Sequence, residues 1–412
     1  MSGLCELGPG RSSKGWPTNR GTVARGTPFP SRTILNLVLP RAFRRIIRHA
    51  LAGSLALLAA ACDHGAPFQN SPDRPRGPFS GQLPRRLTFS IGDDRTPTWL
   101  PDGTILYSSE RIDRLDHDRC LNVISPEGGT ILRQFCQTNP AENDSTNLME
   151  APAVSPAGRI FYHAVTSWIG QQKLGESKLM LGTAADPANA TRLALIPYTA
   201  PNGKIHSSIR SPSWTGPETL IYLAEELFYE GSTFLPDTFF TGRDIVQLDV
   251  SSGSPVYTVV PGTDDASSVA VTSEPGVIYY TLGGDTRVYR RDAGGAVTVI
   301  HDFGALGIAR DVAISGNHLV AVVGRSVVWQ FELDHGSWVQ RDEGGDLDFV
   351  DLVGGGSQLY HADSTLFRHP VFAPDGSGVV VEAQPYAPPH TAPDSEFNAT
   401  NHRADLWLFL IP

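Results

Sequence analysis

The sequence predicts an all-β fold, a six-bladed β-propeller with four-stranded blades, on three observations. A two-strand motif recurs six times between Pro97 and the C-terminus. Further strand–turn–strand segments follow the motif within each repeat, which gives four strands per unit. The two ends of the repeat region complement each other, because a spare strand precedes the first unit and the last unit lacks one. Radial repetition of four-stranded units protects the sheet edges in a β-propeller.

The template of the repeat is PTWLPDGTILYSS, which begins at Pro97. In its Pro-Asp-Gly turn, the proline fixes φ at the value the turn needs, the Asp side chain caps the turn, and the glycine accepts a positive φ. The β-branched and aromatic run after the turn is typical of a buried strand. The last unit, PVFAPDGSGVVVEA, matches the template almost position for position. The six motifs start 43 to 60 residues apart, at Pro97, Pro152, Pro212, Val269, Val312 and Pro370.

The strand RLTFS, at 86–90, is expected to complete the last blade. The last unit supplies two inner strands and then only DLWLFLI before Pro412. Addition of the N-terminal strand would close the ring and leave no open sheet edge. An open β-sandwich explains neither the repeat period nor the presence of a spare strand before the first unit and a missing strand in the last. We therefore expect the propeller to occupy residues 85–412.

The segment RLTFSIGDDRTPTWLPDG, at 86–103, resembles the signature of TolB-like, WD-type propellers. In that family "LT…PxWSPDG" marks the outer strand of one blade and the inner hairpin of the next. The resemblance extends from about residue 85 to the C-terminus and is strongest in the first and last units. It implies a six-bladed propeller of a kind used mostly for binding and scaffolding. The chain departs from TolB itself, because no globular α/β domain of the TolB type fits before Arg85.

The region before the repeats divides into three segments. Residues 1–37 are rich in Gly, Pro, Ser and Arg, which is typical of disorder or of a start codon set too early. Residues 38–61 have the layout of a secretory signal, with four arginines, a short apolar run and small residues before Cys62. Residues 62–84 form a Pro/Gly/Ser-rich tether without strand or helix periodicity.

Cys62 follows three alanines and resembles the acylated cysteine of a bacterial lipobox, although Ala59 stands where the lipobox usually has Leu. We expect lipidation at Cys62, and an ordinary signal peptide with an unrelated cysteine is the alternative. The predicted protein is therefore an exported bacterial lipoprotein. It would be held to a membrane by its lipid alone and would face the periplasm or the cell surface, as a monomer.

The charge of the chain changes sign at Cys62. The first 61 residues hold nine of the 33 Lys and Arg and one of the 43 Asp and Glu, so 24 basic and 42 acidic residues remain. A surface with a net charge of −18 repels nucleic acid and anionic headgroups, so we expect no nucleic-acid partner.

Cys120 and Cys136 belong to one predicted hairpin whose turn is PEGG. The midpoint of the two positions is Gly128, within that turn, so the cysteines can lie opposite each other across paired strands. We expect a disulfide, which an exported protein can form. Two independent buried thiols are the alternative.

The residues just before each inner strand are expected to line the mouth of the central channel. Arginine recurs there, and Arg binds carboxylates in a bidentate manner, so the set suits a small anionic ligand. Ion pairing between blades is the alternative role for any single Arg. The predicted ligand-binding residues are Arg95, Glu150, Arg210, Arg310, Asp311, Arg368 and His369.

Two long loops are predicted, at 224–244 and 384–405. Loops of this length in a compact domain are usually functional or disordered. The first is rich in aromatic residues, which on an exposed loop would form a contact surface for a partner such as an envelope protein. The alternative is that they cap the propeller's own core. The predicted partner-loop residues are Phe228, Tyr229, Phe234, Phe239 and Phe240.

The sequence contains no Gly-x-Ser-x-Gly elbow, His-Glu-x-x-His motif or phosphate-binding loop, so no catalytic residue, cofactor or metal is predicted. The favoured function is a non-enzymatic binding module of the cell envelope. The alternative is a carbohydrate-active, lyase-like enzyme that binds an acidic sugar at the channel mouth. An enzyme of this kind would resemble propeller-fold lyases, which use His and Arg at the channel mouth with a divalent metal. Such an enzyme needs converging bases, and the sequence places only His369 firmly there.

Overall fold

The computed structural model describes residues 84–411, apart from 90–91, 111–117, 138–144, 169–175, 197, 231–236, 253, 325–326, 333–336, 363–364 and 386–403. In these residues the protein is all-β, and its one helical element is a 3-10 turn at Gly304–Leu306. No helix in the described part of the chain has the length and apolarity needed to cross a membrane. The predicted lipidation site, Cys62, lies outside the described residues.

The strands form six successive groups of four, which we number blades 1 to 6. After the short β1 (Arg85–Arg86), blade 1 consists of β2 (Asp94–Trp99), β3 (Ile105–Glu110), β4 (Arg119–Ile124) and β5 (Ile131–Phe135). Blade 2 consists of β6 (Ser145–Val154), β7 (Arg159–Trp168), β8 (Glu176–Thr183) and β9 (Asp186–Ile196). After β10 (Tyr198–Thr199), blade 3 consists of β11 (Ile205–Trp214), β12 (Thr219–Glu230), β13 (Asp237–Asp249) and β14 (Val256–Val259).

Blade 5 differs from the others, because a separate hairpin of β21 and β22 is inserted between its second and third strands. Blade 4 consists of β15 (Ala266–Val271), β16 (Ile278–Leu282), β17 (Arg287–Arg291) and β18 (Val297–Asp302). Blade 5 consists of β19 (Ala309–Ser315), β20 (His318–Val323), β23 (Asp346–Asp351) and β24 (Gly356–Tyr360), and its inserted hairpin of β21 (Val327–Glu332) and β22 (Ser337–Glu343). Blade 6 consists of β25 (Thr365–Phe372), β26 (Gly378–Pro385) and β27 (Asp405–Leu410), and β1 completes it.

The blades form a closed ring. The first strands of successive blades contact one another, and β25 of blade 6 contacts β2 of blade 1. Each of the six interfaces between neighbouring blades holds its own cluster of buried apolar side chains. In β26, for example, Val379 and Val381 pack towards blade 5, whereas Val380 packs towards blade 1. This alternation follows from the period of two along a strand and buries both faces of a blade.

The predicted ring closure is confirmed. β1 pairs with β27 in antiparallel register, with Arg85 opposite Leu408, and the Leu87 amide then donates to the Leu406 carbonyl at 2.8 Å. The Arg86 guanidinium adds an ion pair to Asp405 at 2.6 Å. The paired segment is shorter than the predicted 86–90, because β1 ends at Arg86. The outer strand of blade 6 thus comes from the opposite end of the chain.

Cys120 and Cys136 lie side by side, as predicted from their symmetry about the hairpin turn. Cys120 is in β4, and Cys136 follows the last residue of β5, whose register pairs Leu121 with Phe135. The two Cα atoms are 4.5 Å apart, within the range that a disulfide requires.

The two ends of the propeller differ in the length of their connections. We call the end at which each blade's first strand begins the mouth end. Turns at the opposite end join consecutive strands with two to six residues. At the mouth end, blade 5 carries the β21–β22 hairpin, and nineteen residues separate β26 from β27 in blade 6. The insertions therefore concentrate on one end of the ring.

The aromatic segment at 224–244 is largely not a loop, which corrects the prediction. β12 and β13 continue past Ala224 and Asp244 as a paired hairpin, which we call the arm. Within the arm, Phe228 lies opposite Phe239 and Tyr229 opposite Thr238. The run of aromatic residues that suggested a contact loop also has high strand propensity, and pairing satisfies its backbone groups. The arm extends towards the mouth end; Phe234 lies outside the described residues, whereas Phe240 pairs with Leu227.

Leu87 tests the ring closure, because its side chain is 0% exposed between blades 6 and 1. We expect Leu87→Ala to lower the free energy of unfolding by about 3 kcal/mol, through lost apolar burial and the cavity left behind. Urea denaturation measures the change. The matched control is Leu132→Ala on β5, where the side chain is 54% exposed and the same substitution should change stability by less than about 0.5 kcal/mol. Equal effects at the two positions would contradict the closure model.

Candidate functional site

A β-bulge interrupts the first strand of every blade at the same level. The register with the second strand shifts at Arg95/Thr98 in blade 1 and at the equivalent positions of the other five blades. In four blades the bulge contains proline, which has no N–H to donate to the ladder and is confined to such positions within sheets. The residue before each of these prolines has a left-handed φ of 47°. These residues are Thr96, Ala151, Ser211 and His369.

Backbone strain of this kind is maintained only where the surrounding structure fixes it. A left-handed non-glycine residue costs on the order of 1–3 kcal/mol, and such residues cluster at functional sites. Here the same strained conformation recurs in blades 1, 2, 3 and 6 around one axis. The four bulges therefore form a ring of residues within the central channel, which we call the bulge ring.

The bulge ring separates two cavities. The mouth cavity, of about 210 Å³, lies on the side where the first strands begin. The channel cavity, of about 180 Å³, lies along the later residues of the first strands. All four bulge-ring residues line both cavities, so the two spaces meet there.

The mouth cavity has an excess of positive charge. Four arginines line it, against the two carboxylates of Glu150 and Glu382. His163 and His369 complete its titratable lining. The local charge is thus opposite in sign to the net −10 of the whole chain. The arginines are Arg95, Arg119, Arg210 and Arg368.

Two of these arginines belong to an ion-pair network between blades 1 and 2. Arg119 donates to Glu150 at 2.9 Å and contacts Asp93 at 3.4 Å, and Arg95 donates to the same Asp93 at 2.7 Å. Burial raises the pKa of Asp93, but the Arg95 and Arg119 guanidinium groups outweigh burial and hold that pKa below its usual value. The network fixes both guanidinium groups in the wall of the cavity.

A second, buried cluster lies in blade 6. Glu382 is fully buried and forms an ion pair with Arg368, which also donates to Gln384 at 2.6 Å. The other Glu382 oxygen lies 3.0 Å from His369 Nδ1 and accepts the Thr96 amide at 3.3 Å across the blade interface. Burial raises the pKa of Glu382, but Arg368 and His369 together bring it well below its usual value. Glu382 thus holds together the guanidinium, the imidazole and the strained backbone.

The imidazole of His369 is oriented by this cluster. Burial lowers its pKa, but the carboxylates of Asp311 and Glu382 outweigh burial and raise it. The His369 amide also donates to Asp311 at 3.2 Å, so both the ring and the backbone are fixed. His369 lies in the bulge ring and therefore faces both spaces.

The structure brings together five of the seven predicted ligand-binding residues. Asp311 lines the channel cavity instead of the mouth cavity. Arg310 lines neither cavity in the described part of the chain, and its Nε donates to the Gly324 carbonyl at 2.8 Å. The residues at the mouth are Arg95, Glu150, Arg210, Arg368 and His369.

Sequence reasoning missed Arg119 and Glu382, which lie on a third and a second strand, and it did not assign His163 to the mouth. The repeat analysis considered only the residues ahead of each first strand. A signal for Glu382 was present, because a Glu inside the apolar run VVVEA requires a buried cationic partner. Among the described residues, no group of three or more His, Cys, Asp or Glu side chains is placed to hold a metal ion.

Comparison with known proteins supports the fold. No family model and no curated protein matches the sequence. A gluconolactonase from Xanthomonas campestris is similar in structure, with a TM-score of 0.50 and 10% identity over 82% of this chain and 95% of that one. TolB from Acinetobacter baumannii has a TM-score of 0.41 and 16% identity, over 74% of this chain and 63% of that one. Regucalcin, a calcium-binding protein from Agrobacterium tumefaciens, has a TM-score of 0.44 and 17% identity, over 79% of this chain and 90% of that one.

The class of protein that these findings define is the β-propeller. At 10% identity the likeness to the gluconolactonase shows the fold alone. Function therefore has to be argued from the residues of the site itself.

Glu382 should be essential to the stability of the site. We expect Glu382→Gln to lower the free energy of unfolding by about 3 kcal/mol, because it leaves the Arg368 charge buried without its carboxylate. The double variant Arg368→Met/Glu382→Leu should lose less than the single variant, since it removes both charges.

Urea denaturation of the two variants and of a control tests this expectation. The control is Glu274→Gln, which breaks an exposed pair with Arg290 and should change stability by less than about 0.5 kcal/mol. Wild-type stability in Glu382→Gln would show that the Arg368–Glu382 pair does not hold the site together.

Proposed function

We propose that this protein is an exported, membrane-anchored binding propeller of the cell envelope, whose mouth cavity takes a small anionic ligand. The observation that carries the proposal is the convergence of four arginines on one cavity of a chain that is otherwise acidic. The signal-like segment before Cys62 and the sequence resemblance to TolB-like propellers support the envelope location. An oxidising compartment would also permit a bridge between Cys120 and Cys136.

A carboxylate ligand fits the wall of the mouth cavity. Planar guanidinium groups bind carboxylates with paired N–H donors, and such charge-assisted bonds are stronger than neutral ones. Glu150, which is partly exposed, already accepts from Arg119 at this wall. A ligand carboxylate at this wall would interact with guanidinium groups in the same way as the Glu150 carboxylate does. The ion pairs with Asp93 fix Arg95 and Arg119 in advance, which reduces the entropy that binding has to overcome.

The insertions at the mouth end support a second contact surface on the same side. The arm extends past Ile205, the first residue of β11, whose later residues 208–211 line the mouth cavity. A partner in the envelope could therefore contact the paired aromatic residues of the arm while the cavity holds its ligand. Rigid scaffolds commonly present binding residues on such insertions.

Substitution of mouth arginines should weaken anion binding. We expect Arg210→Gln and Arg119→Gln each to reduce the affinity of the full chain for small carboxylates by about tenfold, since a bond to a charged group contributes roughly 1.5–3 kcal/mol. Calorimetry with galacturonate, succinate and acetate measures the change. The matched control is Arg290→Gln, which removes a positive charge from the surface and should leave affinity unchanged.

Two results of this experiment would contradict the proposal. Equal affinity in wild type and both mouth variants would place the anion elsewhere. Turnover of acidic oligosaccharides that is abolished in His369→Gln would replace binding by the lyase-like alternative. The hydrogen bond between His369 Nδ1 and Glu382 is the observation that favours that alternative, because it orients an imidazole at the bulge ring.

Cys62→Ala tests the anchor. We expect the wild-type protein to partition with membranes and to incorporate labelled palmitate, whereas the variant should do neither, because an acyl chain on Cys62 is the proposed attachment. Fractionation and acyl labelling in a bacterial host measure both properties. The control is Cys5→Ala, which removes the other cysteine ahead of the propeller. Membrane association that persists in Cys62→Ala would show that the lipobox interpretation is wrong.

A further inference from the structure

The channel cavity has an apolar lining, unlike the mouth cavity above it. The bulge prolines of blades 1, 2, 3 and 6 contribute four rings to its wall. Blades 4 and 5, which have no proline at this position, contribute Val269, Val271, Val312 and Ile314, and blade 6 adds Phe372. Every blade therefore contributes at least one apolar side chain to the channel below the bulge ring, although serines, Asp311 and His369 also line it.

Two of the polar side chains in the channel cavity, Asp311 and Ser268, are engaged by the protein itself. Asp311 accepts the His369 amide at 3.2 Å. The Ser268 hydroxyl oxygen accepts the Val312 amide at 2.9 Å. Both groups stabilise backbone at the bulges of neighbouring blades, so their main hydrogen-bonding capacity is directed into the wall. These two groups therefore offer little hydrogen-bonding capacity to a hydrophilic ligand in this part of the channel.

The bulge ring has a donor that suits a carboxylate. Thr96 Oγ1 is buried, and among the described residues it has no hydrogen-bond partner. It belongs to the ring that both cavities share, beside His369 and next in sequence to Arg95. A carboxylate at this level would accept from the Thr96 hydroxyl and satisfy a buried polar atom.

We infer that the ligand is an amphipathic acid, an unbranched alkyl carboxylate whose head lies at the bulge ring and whose chain enters the channel cavity. This inference rests on the proposed anion site and adds the chemical class of its ligand. The arginines and Thr96 recognise the head, and the proline, valine and phenylalanine side chains bury the chain. The cavity of about 180 Å³ limits the chain to a few carbons.

A chain-length series tests the inference in the full-length protein. Calorimetry with acetate, butanoate, hexanoate and octanoate should show affinity that rises about fourfold per methylene, as expected for burial of CH₂ groups, until the channel is full. Thr96→Val should weaken every member of the series by about tenfold without changing the slope, because it removes only the hydroxyl.

A blocked channel separates this inference from the proposed function. Ser213 lines the channel cavity but not the mouth cavity. Ser213→Phe should keep acetate binding and abolish the dependence on chain length, whereas Ser213→Ala should behave as wild type. Circular dichroism and the thermal midpoint confirm that both variants fold.

The outcomes are distinct. A flat series in wild type, with acetate binding that still depends on Arg210, would overturn the alkyl ligand and leave the anion site standing. A slope that persists in Ser213→Phe would place the chain outside the channel. No binding of any member would overturn both proposals.

Discussion

The pairing of β1 with β27 is the interaction on which the ring depends. It joins segments more than 300 residues apart in sequence and supplies the last blade with its outer strand. Without it, the apolar interface that contains Leu87 and Leu406 would lose one of its walls, and the edge of β27 would be open to other chains. Each blade is buried on two faces by its neighbours, so a break at one interface exposes surface that no other interface covers. The fold is therefore cooperative around the whole circle, despite being built from local hairpins.

The candidate site is assembled from the same contacts that close the ring. The Glu382 carboxylate reaches the Thr96 amide across the junction of blades 6 and 1, and Arg119 connects blade 1 to Glu150 in blade 2. The Arg119–Glu150 pair is ion pairing between blades, the structural role that sequence analysis considered as the alternative for the predicted arginines. It also leaves the Arg119 guanidinium in the wall of a cavity. Structural and binding roles coincide in these residues, because the blades meet where the channel opens.

Much of the fold could be predicted from the sequence, because its signals are local. The Pro-Asp-Gly turns, the period of the motif and the spare strand near Arg86 reveal the blades and their closure. The arm could not be predicted, since aromatic residues favour an exposed loop and an extended hairpin alike, and only pairing with a partner strand distinguishes the two. Glu382 and Arg119 were missed because they lie on second and third strands, whereas sequence analysis considered only the residues ahead of each first strand. The pairing of Arg119 with Glu150 depends on contact between blades 1 and 2, which a single sequence does not reveal, whereas Glu382 lies opposite Arg368 within the first hairpin of blade 6.

The chain enters the propeller at one particular end, the end opposite the mouth. Arg85 donates to the Pro126 carbonyl, and Gly129 donates to Leu87, so β1 begins beside the turn between β4 and β5. That turn belongs to the end with short connections, away from the mouth. If the proposed anchor at Cys62 is present, the chain that carries it joins the propeller at the end opposite the mouth cavity and the arm. Attachment at that end would leave the mouth cavity unobstructed by the anchor and open to soluble ligands.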